Sequence, residues 1–147
     1  MPHRFDLRVY YEDTDLAGIV YYANYLKFIE RARTEYVRAL GVDQAQLKAE
    51  TGVVFAVARV EADYLLPALF DDCLTVETRP EKVTAARVTL AQDVRRGAET
   101  LFRSRVTVVA LRPDGRPGRL PADFRQSLLG ESNDCDGIVA ASDGHPV

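Results

Sequence analysis

Histidine is nearly missing from this sequence, with His3 beside the start and His145 beside the end. A strand-and-helix domain builds its pockets from the middle of the chain, so neither is placed to act as the base of a Ser-His-Asp or Cys-His arrangement. A histidine-based metal site fails for the same reason. Cysteine is equally scarce: Cys73 and Cys135 share no motif spacing with each other or with a histidine. They read as two unpaired thiols, since a zinc site needs about four N/S ligands at close spacing. There is no Gly-rich phosphate loop, which removes P-loop and dinucleotide roles. No stretch approaches the ~20 apolar residues of a membrane-spanning helix. The charged start, Met1-Pro2-His3-Arg4-Phe5-Asp6, has no apolar run behind it of the kind a secretory signal requires. The expectation is a cytoplasmic protein that uses no metal and no cofactor.

Lys and Arg are absent from 130–147, a segment rich in Gly, Ser and Asp that carries Glu131, Asp134, Asp136 and Asp143. Those four acids account for the formal net charge of −3, because the rest of the chain holds 19 Lys and Arg against 18 Asp and Glu. A near-neutral body is not the basic footprint of a nucleic-acid binder. With 147 residues, 47% of them hydrophobic, the chain suffices for one domain with its own core. We read 1–129 as that domain and 130–147 as an acidic flexible tail.

Residues 5–11 alternate, with Leu7, Val9 and Tyr11 on one face, as in a strand. Residues 12–22 have no clean period and read as a loop. From about Ala23 to Leu40, Leu26, Ile29, Ala32, Arg33, Tyr36, Val37 and Leu40 recur at helical spacing, and Arg33 alone interrupts the apolar stripe. Asn24 is the candidate N-cap and Gly41 the C-cap glycine. Glu30 with Arg33, and Arg31 with Glu35, have the spacing of helix-face ion pairs. A short surface helix is expected over 43–51. Strands are expected over 53–64, 74–78, 83–95 and 100–111, with turns at Arg96-Gly97-Ala98-Glu99 and Pro113-Asp114-Gly115. One long helix among consecutive strands predicts an α+β fold with an antiparallel sheet curled around that helix.

With histidine, thiol and metal chemistry set aside, carboxylates remain. Glu12, Asp13 and Asp15 cluster just before the apolar run Gly18-Ile19-Val20-Tyr21-Tyr22, which leads into the predicted helix start. Amides at a helix N-terminus lack intrahelical partners and carry partial positive charge. A carbonyl oxygen placed there is polarised, and an acid seven residues before the helix start can approach the same carbonyl from the other side. That combination suits acyl transfer. The competing reading is a solvated acidic loop.

The same residues carry a family resemblance. The run from Tyr11 to Tyr25, with Asp13-Thr14-Asp15 and Gly18-Ile19-Val20-Tyr21-Tyr22-Ala23-Asn24 at its centre, resembles the signature of the 4-hydroxybenzoyl-CoA thioesterase family. Phe28-Ile29-Glu30-Arg31-Ala32-Arg33-Thr34-Glu35 is similar in particular to the Tol-Pal system-associated acyl-CoA thioesterase branch, and the likeness extends over roughly 4–128. The resemblance implies a hotdog fold, a homodimer or homotetramer, and hydrolysis of a small, medium or aromatic acyl-CoA. It assigns Asp15 as catalytic carboxylate, nucleophile or general base. Tyr22 would polarise the thioester carbonyl through its backbone N–H, and Tyr11 would stand beside the site. Gly18, Ile19 and Val20 would line the substrate site.

Two departures stand out. The Tol-Pal branch usually has His where this chain has Tyr22, whereas the 4-hydroxybenzoyl branch has Tyr. That second branch also carries adjacent basic residues where this chain has Thr84-Ala85-Ala86; Lys82 and Arg87 flank the gap and are the candidates for coenzyme A, against the reading that both are solvated strand-end charges. Two other functions compete. A hydratase on the same fold relies on an internal histidine that this chain lacks. A non-catalytic acyl-thioester-binding module would leave Asp15 without a task.

Overall fold

The Val- and Thr-rich segments after Gly52 join the first strand in one antiparallel sheet. The computed structural model describes residues 1–141, with side chains through Glu131. In chain order the elements are β1 (His3–Arg8), a short 3-10 turn at Tyr11–Asp13, α1 (Asn24–Ala39), α2 (Gln44–Thr51), β2 (Val54–Tyr64), β3 (Cys73–Val83), β4 (Arg87–Arg96), β5 (Glu99–Leu111), β6 (Pro117–Gly118) and α3 (Ala122–Ala141). The strands lie in the order β1-β3-β4-β5-β2, with β6 paired to β5. Irregular register at Val57/Arg59, Pro80/Lys82 and Val94/Arg95 bends the strands. The expected architecture, a long helix against a bent antiparallel sheet, is met.

Tyr25, Phe28, Ile29, Ala32, Tyr36 and Val37 of α1 are buried with Leu74, Val76, Leu90, Val94, Phe102 and Val106 of the sheet. Burying each large apolar side chain contributes roughly 1.5–3 kcal/mol. The helix ends in a reciprocal pair of bonds, Gly41 N to Arg38 O at 3.0 Å and Val42 N to Val37 O at 3.3 Å, with Gly41 at φ +89°. Glycine takes this left-handed conformation without steric cost, as the sequence led us to expect. Asp43 caps α2 by accepting from Gln46 N at 3.0 Å.

Several expectations are corrected. The predicted stripe of α1 is buried at Ile29, Ala32, Tyr36 and Val37, but in the first turn Tyr25 and Phe28 point inward and Leu26 is 43% exposed. Asn24 does not cap the helix; its Nδ2 donates to Asp13 O at 2.9 Å. The two predicted helix-face ion pairs are not formed: Arg33 turns inward to Gln92 Oε1 at 2.9 Å, Glu30 accepts from the Thr34 hydroxyl at 3.2 Å, and Glu35 pairs with Arg38 instead. The strand predicted over 83–95 starts later, at Arg87, and the one predicted over 74–78 runs on to Val83; the chain reverses at 84–86, where the Thr84 side chain accepts from Arg87 N at 3.1 Å. The first strand stops at Arg8, so Tyr11 lies in the 3-10 turn and not on the strand face.

α3 was not anticipated. Leu120, Phe124 and Leu128 are buried, and Phe124 packs on Phe55 with ring centroids 5.0 Å apart. Their four-residue spacing is helical, but the Gly-, Ser- and Asp-rich composition that follows masked it. The helix runs past the 129/130 boundary drawn from composition, so the segment expected to be a flexible tail begins inside a helix. Its last residues, 142–147, lie outside the described residues. Among the described residues no helix is long and apolar enough to cross a membrane.

Candidate active site

The loop after β1 is shaped by its own polar groups. Asp13 Oδ2 accepts from Tyr10 N at 2.8 Å, and Asp13 O accepts from Tyr21 N and from Asn24 Nδ2, each at 2.9 Å. Both ends of Asp13 are thereby occupied, which makes it a structural acid. Thr14 pairs with Val20 and closes a miniature hairpin. At its tip, Gly18 N donates to Asp15 O and Asp15 N donates to Ile19 O, both at 2.9 Å. Gly18 has φ +80°, a conformation that costs an L side chain about 1–2 kcal/mol. This turn orients Asp15, whose Oδ1 accepts from Ala17 N at 2.9 Å. Asp15 is half-buried, and among the described residues its Oδ2 has no hydrogen-bond donor.

The hairpin is stapled to the segment 65–72. Val20, buried, donates its N–H to Ala68 O at 2.9 Å, and Ile19 bridges Leu69. Arg96 holds that segment through Asp72 Oδ2 at 2.8 Å, and the same oxygen accepts from Leu69 N at 2.8 Å. Tyr11 is 83% exposed and meets Phe70 edge to face, ring centroids 6.5 Å apart.

The chain then opens α1. Tyr21 O accepts from Asn24 N at 2.9 Å, and Tyr22 O accepts from the Tyr64 hydroxyl at 2.9 Å. Among the described residues neither the Tyr22 nor the Ala23 N–H has an acceptor. Unpaired amides at a helix start carry partial positive charge. Tyr22 is 62% exposed. Burial and the neighbouring Tyr22 and Tyr25 push the Tyr64 phenol above the ordinary tyrosine range, so it stays a donor. Tyr64 is a neighbour of the junction that sequence reasoning missed. The contact joins positions 42 residues apart, and no local pattern marks it.

Asp15, Gly18, Ile19, Val20 and Tyr22 thus share one loop–helix junction, with Tyr11 earlier in the same loop. Lys82 and Arg87 do not join them. They flank the β3–β4 reversal, whereas the loop docks at the Cys73 end of β3. Nine residues of strand separate those ends, about 30 Å. Both side chains are exposed, as solvated strand-end charges would be. His3 is ordered in β1 against the Tyr36 ring at 5.6 Å, at the end of β1 away from the loop. Cys73 carries a free, exposed thiol; the Cys135 side chain lies outside the described residues. Among the described residues no three of His, Cys, Asp and Glu converge as a metal-binding set.

The junction offers a carboxylate oxygen and a pair of open amides, the two components that acyl transfer requires of its reacting group and its oxyanion. Residues 17–102, more than half of the chain, match the family model described as the thioesterase superfamily. The chain is 46% identical over 104 residues to an acyl-CoA thioesterase, YbgC, of Haemophilus influenzae, covering 71% of this chain and 75% of that one. A solved structure of a probable thioesterase from Bartonella henselae superposes with a TM-score of 0.79 at 35% identity, over 82% of this chain and all of the other. A variant of 4-hydroxybenzoyl-CoA thioesterase, solved with 4-hydroxybenzoyl-CoA bound, superposes with a TM-score of 0.79 at 25% identity, over 85% and 96% of the two chains.

Proposed function

Because the chain belongs to the thioesterase superfamily, we propose that it hydrolyses the thioester bond of an acyl-CoA, with Asp15 as the reacting carboxylate. The observation that carries this reading is the junction itself: a half-buried carboxylate with one oxygen uncommitted, on the loop that leads into two open amides. As general base, Asp15 takes a proton from water as the water attacks the carbonyl carbon. The tetrahedral oxyanion is held by the Tyr22 and Ala23 N–H groups, and its collapse expels the thiolate, which recovers the proton. As nucleophile, Asp15 forms the bond itself, expels the thiolate and leaves a mixed anhydride for water to open. Hydroxylamine trapping of an acylated Asp15 marks the second route.

The acyl group belongs to the small, medium or aromatic class. Tyr11, Tyr22, Leu66, Leu69 and Phe70 are exposed around the loop and offer an apolar surface to such a group. The functional unit is a homodimer or homotetramer. β2 is an edge of the sheet and shows Val57, Val60 and Tyr64 to solvent, and an unpaired apolar edge strand calls for a partner. Lys82 and Arg87 reach a thioester at Asp15 only if another protomer supplies them. A micromolar sample that scatters light with a monomer's mass would sink the assembly.

The test of the activity is thiol release from a panel of acyl-CoAs that includes 4-hydroxybenzoyl-CoA, in wild type and in Asp15→Asn. Turnover by wild type and its loss in the variant are expected, with chelators without effect. Binding without turnover across the panel would replace the enzyme with an acyl-thioester-binding module.

A further inference from the structure

Tyr64 ends β2 and sends its hydroxyl to the start of α1. Its ring is held edge to face by Tyr22, Tyr25 and Phe102, with centroids 6.2, 5.5 and 5.1 Å away. Its Oη donates to Tyr22 O at 2.9 Å. That carbonyl belongs to the peptide whose N–H is Ala23's. In a planar trans peptide the C=O and N–H point in opposite directions, so holding the oxygen also aims the amide. The preceding peptide, which carries the Tyr22 N–H, is held in the same manner through Tyr21 O by Asn24 N at 2.9 Å. Two successive peptides therefore have anchored oxygens and open amides. One anchor is local to the helix; the other comes from a strand.

We propose that Tyr64 is a positioning residue for thioester hydrolysis: its hydroxyl fixes the Tyr22–Ala23 peptide so that the Ala23 N–H joins that of Tyr22 as a donor to the thioester oxygen. The proposal rests on the reading above that Asp15 and these amides act on an acyl-CoA. A hydrogen bond accepted at the peptide oxygen also polarises the N–H of the same peptide. The contribution grows as negative charge develops on the thioester oxygen, because preorganised donors act most strongly on the transition state. Loss of the hydroxyl should then appear in kcat and leave KM alone. A hydroxyl that merely tied β2 to α1 would move stability instead.

Tyr64→Phe keeps the ring and its three aromatic contacts and removes only the donor. With 4-hydroxybenzoyl-CoA or hexanoyl-CoA as substrate, kcat should fall about tenfold, less than the loss of a whole oxyanion donor. KM and the melting temperature should match wild type. So should the affinity for S-(4-hydroxybenzyl)-CoA, a thioether with no carbonyl oxygen. A kcat within twofold of wild type would overturn the inference, as would a loss carried by KM or by thioether affinity. Failure of the variant to fold would assign the hydroxyl to the fold and overturn it too. Asp15→Asn separates the two levels. Activity lost there and intact in Tyr64→Phe removes only the role of Tyr64, whereas no turnover by wild type removes that role together with the thioesterase reading.

Discussion

Under α1 the protein buries polar groups, and at the loop end of the same sheet it exposes apolar ones. Gln92 is fully buried. Its Nε2 donates to Ile29 O at 2.9 Å and to Thr78 Oγ1 at 3.0 Å, its Oε1 accepts from Arg33, and its main-chain oxygen accepts from the Ser104 hydroxyl at 2.7 Å. Each of those groups is spent inside the protein. At the loop end Leu16 is fully exposed, Tyr11, Tyr22 and Phe70 are largely so and Leu66 partly, while Asp15 Oδ2 and two amides are unspent. Polar groups that satisfy one another are architecture. Unspent polar groups beside uncovered apolar surface are what a ligand or a partner completes.

The sharpest way to break this contrast is at the two aspartates of the loop. Asp15→Asn should lower the hydrolytic rate constant by roughly 10²–10⁴ with folding intact. Asp13→Asn should cost far less, because an amide oxygen can still accept from Tyr10 N. Equal losses in steady-state kinetics would mean that the loop matters only as a shape. Gln92→Leu tests the other region. It leaves Arg33 Nη1 without its acceptor and the buried Thr78 Oγ1 without its donor and should cost about 3 kcal/mol in denaturant unfolding, while the folded fraction retains its turnover number.

Smaller effects sharpen the picture. In Gly18→Ala the new Cβ would meet nothing within 4 Å, so the cost is backbone conformation alone, about 1–2 kcal/mol. Gly18→Asn should recover part of it, since Asn tolerates φ > 0 better. Asp93, 7% exposed on β4, offers a pH test. Burial pushes its carboxyl above the usual carboxylate range and prevails over the opposing Arg103, Arg79 and Arg95 guanidinium groups. The folded state thus holds this proton more firmly than the unfolded chain. The associated stability is complete below the unfolded value of about 3.9 and is lost as pH rises through the folded value. Melting temperatures of Asp93→Asn and wild type should converge near the acid end of the native range and diverge toward neutrality in favour of the variant. Truncation after Leu129 should have the least effect, because Leu120, Phe124 and Leu128 all precede the cut. A large loss of melting temperature would show that the remainder of α3 docks.

Much of this was legible in residue order. Period two marked the first strand, β-rich composition the next four and period 3.6 α1, Gly41 marked the end of that helix, and the acids, the glycine and the aromatic pair of the loop marked the junction. The first turn of α1 was not legible. Leu26 and Tyr25 both fit an apolar stripe, and only the opposing sheet decides which one turns inward. The inward turn of Arg33 depends on Gln92, 59 residues away. The reversal at 84–86 depends on the Thr84 side chain folding back on Arg87, where β-propensity placed the fourth strand's start at Val83.

By itself the sequence determined what is local: which segments form helix or strand and which loop carries the clustered acids. Those properties follow from backbone preference and composition, which act within a few residues. Tertiary structure alone decided the rest. It separated Lys82 and Arg87 from Asp15 by the length of a strand, made Asp13 architectural while leaving Asp15 an oxygen to spare, and brought the hydroxyl of Tyr64 to the carbonyl of Tyr22. Each of these depends on which distant groups the sheet brings within hydrogen-bond reach, and register between strands is a property of the folded chain that no single segment contains.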